Sequence, residues 1–296
     1  MSENEIFFAD DADEKNRVAG GTLYLVSTPI GNLADLSPRA VKVLSGVDFV
    51  AAEDTRNSGL LLSRFGIRRP LVSYYEHNKR ERGEEILSRL LAGESCALVT
   101  DAGTPAVSDP GEDLVALCAA HGVPVTAVPG PVASVTALTL SGLSTARFCF
   151  EGFLPVGKAE RRARLDALCR EERTLLFHEA PHKLLRTLSD LSGAFGPDRR
   201  VAVCRELTKR NEEILRTTLA GALAHFEQTE PRGEFVLVVE GAEASPAADW
   251  QDLTLADHVA LYVAAGTPQK EAIKQVAHER GIPKNEVYQA MLKKEN

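Results

Sequence analysis

The sequence has no long apolar run; nothing in it approaches the roughly 20 consecutive apolar residues of a membrane-crossing helix. Met1 to Asn16 is acidic where a secretory leader would be basic and then apolar, so a cytoplasmic protein is expected, with no membrane partner. Cysteine is sparse and scattered. Cys96, Cys118, Cys149, Cys169 and Cys204 include no Cys-x-x-Cys pair and read as reduced core thiols. Positive charge is not in excess either: the formal net charge of −8 argues against indiscriminate binding to nucleic acid, although local patches decide more than totals. Two nucleotide signatures are missing. The first strand-to-helix turn lacks Gly-x-Gly-x-x-Gly, and no Gly-x-x-x-x-Gly-Lys-Ser/Thr occurs, which favours a cofactor without phosphates.

What is present is an alternation. With 44% hydrophobic and 26% charged residues over 296 positions, the chain suits two or so packed domains with large cores. From Thr22, strand, loop and helix follow one another five times, which predicts a mainly parallel α/β sheet with right-handed crossovers. Ser37 with Pro38 opens the first helix, and Gly46, Gly66, Gly93 and Gly122 close the helices that follow. Strands are expected at 23–26, 47–52, 71–74 and 123–128, with a further one ending in the apolar run at Leu98-Val99, and a helix over 79–91. The second half is mixed α/β and less regular, and three short helices end the chain. The expected domains are a mobile tail (1–21), an N-terminal α/β domain (22–145), a second α/β domain (146–242), a linker (243–250) and a C-terminal helical module (251–296).

The chain is organised around Leu98 to Gly111, where an apolar run breaks into small, proline-bounded and hydroxyl-bearing residues before a helix resumes. Ser27-Thr28-Pro29-Ile30-Gly31-Asn32 and Pro129-Gly130-Pro131 follow two other apolar runs in the same way. In open parallel sheets, ligands sit in the crevice outside the carboxyl ends of the strands, so these loops are expected to surround one small molecule.

Other motifs are weighed by their mechanics. His178-Glu179-Ala180-Pro181-His182 matches a zinc-protease pattern, but Pro181 belongs at a helix start, which puts His178 on a strand end and His182 in the next helix; no metal site is expected. Glu53 and Asp54 stand where a dinucleotide fold places its ribose-binding acid, yet the glycine turn is absent. Three basic clusters are present: Arg68, Arg69, Lys79, Arg80 and Arg82; Lys158, Arg161, Arg162 and Arg164; and Arg205, Lys209 and Arg210. Only the third follows a buried strand at its carboxyl end. The first two read equally well as solvated helix faces.

Together, Leu25 to Asn32, Ala52-Glu53-Asp54-Thr55-Arg56, Thr100 to Pro105, Val128 to Pro131, His178 to Leu184, Arg205 to Lys209 and Gly233 to Val238 resemble the tetrapyrrole-methylase superfamily, in particular its ribosomal-RNA branch. The resemblance spans about Thr22 to Gly241. It implies a two-domain, S-adenosylmethionine-dependent enzyme, usually a homodimer, acting on the ribose 2′-hydroxyl of a cytidine in the decoding centre of 16S ribosomal RNA, either as RNA or within the assembled 30S subunit. By position, Pro29, Asp101, Thr104, Val107, Val132 and Ala133 would border the cofactor, with Phe177, Leu207 and Phe235 closing from the second domain. Val132 departs from the serine that is common after Pro-Gly-Pro, which leaves only backbone contacts there.

The implied chemistry is an in-line displacement at a methyl group, so much of the catalysis is alignment, helped by a group that accepts the hydroxyl proton. Glu53 is the first candidate for that role and Glu179 the second. Arg56, Lys183, Arg205 and Lys209 are candidates for holding RNA phosphates. The competing reading of Glu53 is a salt bridge to Arg56 that shapes the loop. The competing functions are methylation of a tetrapyrrole or protein side chain, and a non-catalytic ribosome-assembly factor.

Overall fold

Five short apolar runs form the first sheet: β1 (Leu23–Val26), β2 (Phe49–Ala52), β3 (Leu71–Ser73), β4 (Cys96–Val99) and β5 (Val125–Val128), in the order β3-β2-β4-β1-β5. Every pairing is parallel. The computed structural model describes residues 17–243 and 253–294, so the expected tail up to residue 16 and the expected linker from residue 244 lie outside the described residues. The chain divides into two compact units, 1–241 and 242–296.

Helices α1 (Pro38–Gly46), α2 (Thr55–Arg64), α3 (Lys79–Leu91) and α4 (Glu112–Ala120) connect the successive strands. The Ser37 side chain accepts from the Ala40 N–H while Pro38 opens α1, and α3 has the expected bounds. Both sheet faces are covered. One core gathers Val26, Val43, Leu44, Val50 and Val99; the other gathers Leu23, Phe49, Ile86, Leu98 and Leu114. Double-sided burial is why β2 and β4 are apolar at every position instead of alternating.

The second sheet contains β6 (Phe148–Gly152), β7 (Thr174–Glu179), β8 (Arg200–Arg205), β9 (Glu213–Thr218) and β10 (Phe235–Val239), in the order β6-β7-β10-β8-β9. Only β6 and β7 run parallel. Helix α5 (Ala133–Ser141) crosses from the first sheet to the second, packing Ala137 and Leu138 against Leu176, Ala202, Cys204, Val236 and Val238. The opposite face is covered by α6 (Lys158–Leu168), α7 (Leu184–Phe195) and α8 (Leu219–Gln228), over Leu175, Phe177, Phe235, Leu237 and Val239. Helix α8 was not among the expected elements. The Thr218 hydroxyl caps it by accepting from the Gly221 N–H, and Leu219, Ala222 and Phe226 bury its apolar side.

The second unit is a three-helix module, α9 (Leu255–Ala264), α10 (Gln269–Arg280) and α11 (Lys284–Lys294), around Val259, Ala272, Val276 and Val287. Among the described residues no helix is long and apolar enough to cross a membrane.

Because α5 joins the two sheets through small residues, the fold tolerates little extra volume there. Ala137→Leu is expected to cost about 1–3 kcal/mol by overpacking, read as a lower urea midpoint at unchanged slope.

Candidate active site

The loops after β1, β4 and β5 are stitched together by hydrogen bonds. Thr28 and Gly103 form an isolated antiparallel bridge, Thr28 N–H donating to the Gly103 carbonyl at 2.8 Å and Gly103 N–H returning to Thr28 at 3.1 Å. The Thr28 hydroxyl donates to the Thr100 carbonyl at 3.1 Å. Thr104 Oγ1 donates to the Pro131 carbonyl at 3.2 Å and lies 2.8 Å from Ser27 Oγ, so the Ser27 hydroxyl is the donor between them. The loop after β2 joins the same edge. Thr100 Oγ1 donates to Glu53 Oε2 at 3.0 Å, and the Asp101 carboxylate accepts from the Asp54 N–H at 3.3 Å and from Asn57 Nδ2 at 2.8 Å. The expected convergence of loops is therefore present, with a fourth loop added.

This edge is acidic. Burial pushes the Asp109 carboxyl up to about 6, and the charges of Glu53 and Asp101 push the same way. Asp109 lies within the organising stretch but was given no role by sequence reasoning. Asp54 is held down at about 2 by its hydrogen bonds from Arg56. A set of carboxylates on a site with stitched hydroxyls suits a cationic, phosphate-free ligand and repels a polyphosphate.

The second sheet meets this edge at two points. A Cβ on Gly31 would lie 2.3 Å from Lys209 Cγ, so the lysine side chain runs directly over the loop after β1, and Ile30 packs with Leu207. A Cβ on Gly152, whose φ is +61°, would lie 3.3 Å from Ser108 Oγ in the loop after β4. Both contacting loops carry residues other than glycine in the left-handed region, Ala106 and Ser108 on one side and Glu206 and Thr208 on the other. For β-branched Thr208 that conformation is a true outlier, and such strain collects at functional sites. Between the two contacts stands His178 on β7, which burial holds below its ordinary pKa while the charge of Glu234 opposes the shift.

Several sequence expectations change at this point. Phe177 and Phe235 do not face the loop edge: both side chains lie in the core beneath α7 and α8, where the Phe235 ring meets Phe226 at 5.6 Å. Glu179 is equally misplaced for proton transfer. It is 5% exposed, and its carboxylate accepts from the Ala180 N–H and from the Thr187 hydroxyl, which in turn accepts from Arg161. Arg56 pairs with Asp54 at 2.6 Å, not with Glu53, whose partner is Thr100. Pro29 and Leu207 are buried where the two domains meet the loops, Asp101 and Val107 are exposed, Val132 is the N-cap of α5, and Ala133 is its first residue. Arg205 binds the Arg232 carbonyl at 3.1 Å and Glu213 at 2.9 Å, Lys209 binds Glu206 and Glu234 at 2.9 Å each, and Lys183 is exposed. His178 and His182 fall on a strand and a following 3-10 turn, as Pro181 predicts.

A parallel sheet joined through one helix to a mixed sheet, with stitched loops at the strand ends, defines a two-domain α/β architecture shared with solved methylases. A uroporphyrin-III-C-methyltransferase from Thermus thermophilus superposes with a TM-score of 0.54 at 20% identity, covering 74% of this chain and 94% of that one. The model of the Tetrapyrrole (Corrin/Porphyrin) Methylases family matches residues 22–223. Proteins named ribosomal RNA small subunit methyltransferase I match across nearly the whole length. The one from Synechocystis sp. is 46% identical over 93% of this chain and 99% of its own, and the one from Halalkalibacterium halodurans is 47% identical over 90% and 93%. This chain belongs to the tetrapyrrole methylase family, in the branch those relatives form.

Asp109 provides a check on the electrostatics. With its folded-state pKa raised to about 6 from 3.8, its contribution to stability is fully present below pH 3.8 and lost as pH rises through 6. Asp109→Asn is therefore expected to raise the thermal midpoint above that of the native protein at pH 7 to 8, with the gain fading as pH falls towards 4. A difference independent of pH would contradict the acidic pocket.

Proposed function

We propose that this protein is a methyltransferase that takes a methyl group from S-adenosylmethionine and places it on RNA of the small ribosomal subunit, at the ribose 2′-hydroxyl of a cytidine. The observation that carries the reading is the single stitched edge made by the loops after β1, β2, β4 and β5, in a chain whose relatives bear that methyltransferase name.

The residues fit the cofactor's chemistry. S-adenosylmethionine carries a sulfonium and no phosphate, and the edge offers the carboxylates of Asp101 and Asp109 with no phosphate cradle. Pro29, Asp101, Thr104, Val107, Val132 and Ala133 would hold it from the first domain and Leu207 from the second. When bound, the sulfonium supplies an electrophilic methyl group.

The protein's own part is alignment and proton removal. Glu53 receives the Thr100 hydroxyl on Oε2, which fixes the carboxylate and leaves Oε1 to accept the proton of a ribose hydroxyl. Arg205 ends β8 and Lys209 stands on the loop after it, where its side chain crosses Gly31. They would meet the RNA backbone by exchanging carboxylate partners for phosphates.

The test is transfer of labelled methyl from S-adenosylmethionine to small ribosomal subunits, with nuclease mapping of the labelled nucleotide. Label on the ribose of one cytidine is expected, and its absence from RNA overturns the reading in favour of a tetrapyrrole or protein substrate. Calorimetry with S-adenosylmethionine addresses the assembly-factor alternative, since a non-catalytic scaffold that has lost the site gives no binding heat. Glu53→Gln should keep donor affinity while cutting turnover at least about a hundredfold. Unchanged turnover removes Glu53 from the role of base.

A further inference from the structure

His178 heads the His-Glu-Ala-Pro-His motif and takes no part in the chemistry above. Its ring sits between two phenylalanines, edge-to-face with Phe150 at 5.1 Å and with Phe153 at 5.6 Å. Phe153 follows Gly152, whose φ is left-handed and where a Cβ would lie against Ser108 of the strained loop. The next side chain, Leu154, dives into the core, while Phe153 remains 58% exposed.

We propose that Phe153, braced by His178, is a stacking platform for an unpaired base of the substrate RNA beside the reacting nucleotide. The proposal rests on the RNA-methylation reading and adds to it a residue that positions substrate. An exposed aromatic ring is ordinary by itself. This one differs in being held at a fixed angle by a half-buried imidazole, at a point where the second sheet meets the loop after β4.

The charge carried by the stretch of chain that follows Phe153 favours RNA over the methyl donor as the occupant. Helix α6 begins five residues later and carries Lys158, Arg161, Arg162 and Arg164. Between α6 and α7 runs an open groove of about 430 Å³ whose lining includes Lys158, Arg162, Arg186 and Ser189. Asp190 is engaged by buried Arg161 at 2.6 Å, whereas Arg186 reaches it only at 3.8 Å and Arg162 reaches Asp166 only at 3.9 Å. Loosely paired cations can turn to phosphates at little cost. Cationic surface combined with an exposed aromatic ring is how proteins hold single-stranded nucleic acid, and the phosphate-free donor makes no use of such cations.

Methyl transfer to small ribosomal subunits would separate the roles. Phe153→Ala is expected to raise KM for subunits about tenfold with kcat near that of the native protein, and with the calorimetric affinity for S-adenosylhomocysteine unchanged. Phe153→Tyr should restore KM. His178→Ala should raise KM in the same way, and His178→Phe, which keeps an edge-to-face partner, should recover it. A direct readout is fluorescence. Trp250 is the chain's single tryptophan, so in a Trp250→Phe background Phe153→Trp is the sole indole; its emission should be quenched by a small-subunit RNA transcript and not by S-adenosylhomocysteine alone.

An unaltered KM for Phe153→Ala in an active enzyme overturns the stacking role alone. Quenching by S-adenosylhomocysteine without RNA overturns the assignment to RNA. Native protein that labels no RNA removes the stacking role together with the function on which it rests.

Discussion

The backbone bridge between Thr28 and Gly103 is the constraint on which the active edge depends. Parallel strands leave their carboxyl ends side by side but unconnected, and the loops beyond them have no ladder to satisfy their amides. Here Thr28, wholly buried, closes two backbone bonds to Gly103 and a third through its hydroxyl to Thr100. Each bond is worth only about 1 kcal/mol net, but leaving such buried groups unpaired would cost more. The small hydroxyl residues that mark these loops thus act first as stitches. With Ser27, Thr100 and Thr104 engaged within the protein, the carboxylates and backbone are left to meet a ligand, and the apolar Val132 at the start of α5 breaks none of the observed bonds.

Strain is the counterpart of that stitching. Ala106 and Ser108 on one side of the domain junction, and Glu206 and Thr208 on the other, hold a backbone conformation that costs each of them stability. The cost is borne by the cores on both faces of each sheet and by α5, which ties one sheet to the other through Ala137 and Leu138. Loops that touch across a junction and resist relaxation keep their geometry before a ligand arrives, which is the form of preorganisation that a displacement reaction needs.

The order of strands, helices and loops in the first domain was legible because each apolar run is bounded by a cap, a proline or a glycine. Lys79 to Leu91 has its expected limits for that reason. Which way a buried strand faces was not legible. Leu175 to Phe177 and Phe235 to Val239 are apolar at every position, so nothing in the pattern shows that Phe177 and Phe235 turn towards α7 and α8. Glu179 is the last residue of β7, one beyond the strand end expected at His178, and its parity sends the carboxylate to Thr187. The partner of Glu53 could not be read from sequence, because Thr100 lies in the loop after another strand, 47 positions away. Asp109 could have been found, since it is an acid in the loop that follows β4, but its elevated pKa depends on burial, which is a tertiary property.

On the RNA reading, a chain with a net charge of −8 has to admit a polyanion beside an acidic pocket. The charges are divided by domain. Glu53, Asp54, Asp101 and Asp109 cluster at the first sheet, while Lys158, Arg162 and Arg186 line the groove on the far face of the second. Screening confines each field to about 8 Å at physiological ionic strength, so a phosphate backbone along the second domain would feel little of the acids. Only a sugar has to reach them, and a sugar carries no charge. The cations nearer the junction are kept in pairs, Arg205 with Glu213 and Lys209 with Glu206 and Glu234. Such partly exposed pairs are worth at most about 1 kcal/mol, weak enough to exchange for phosphate and sufficient to keep the junction ordered without it.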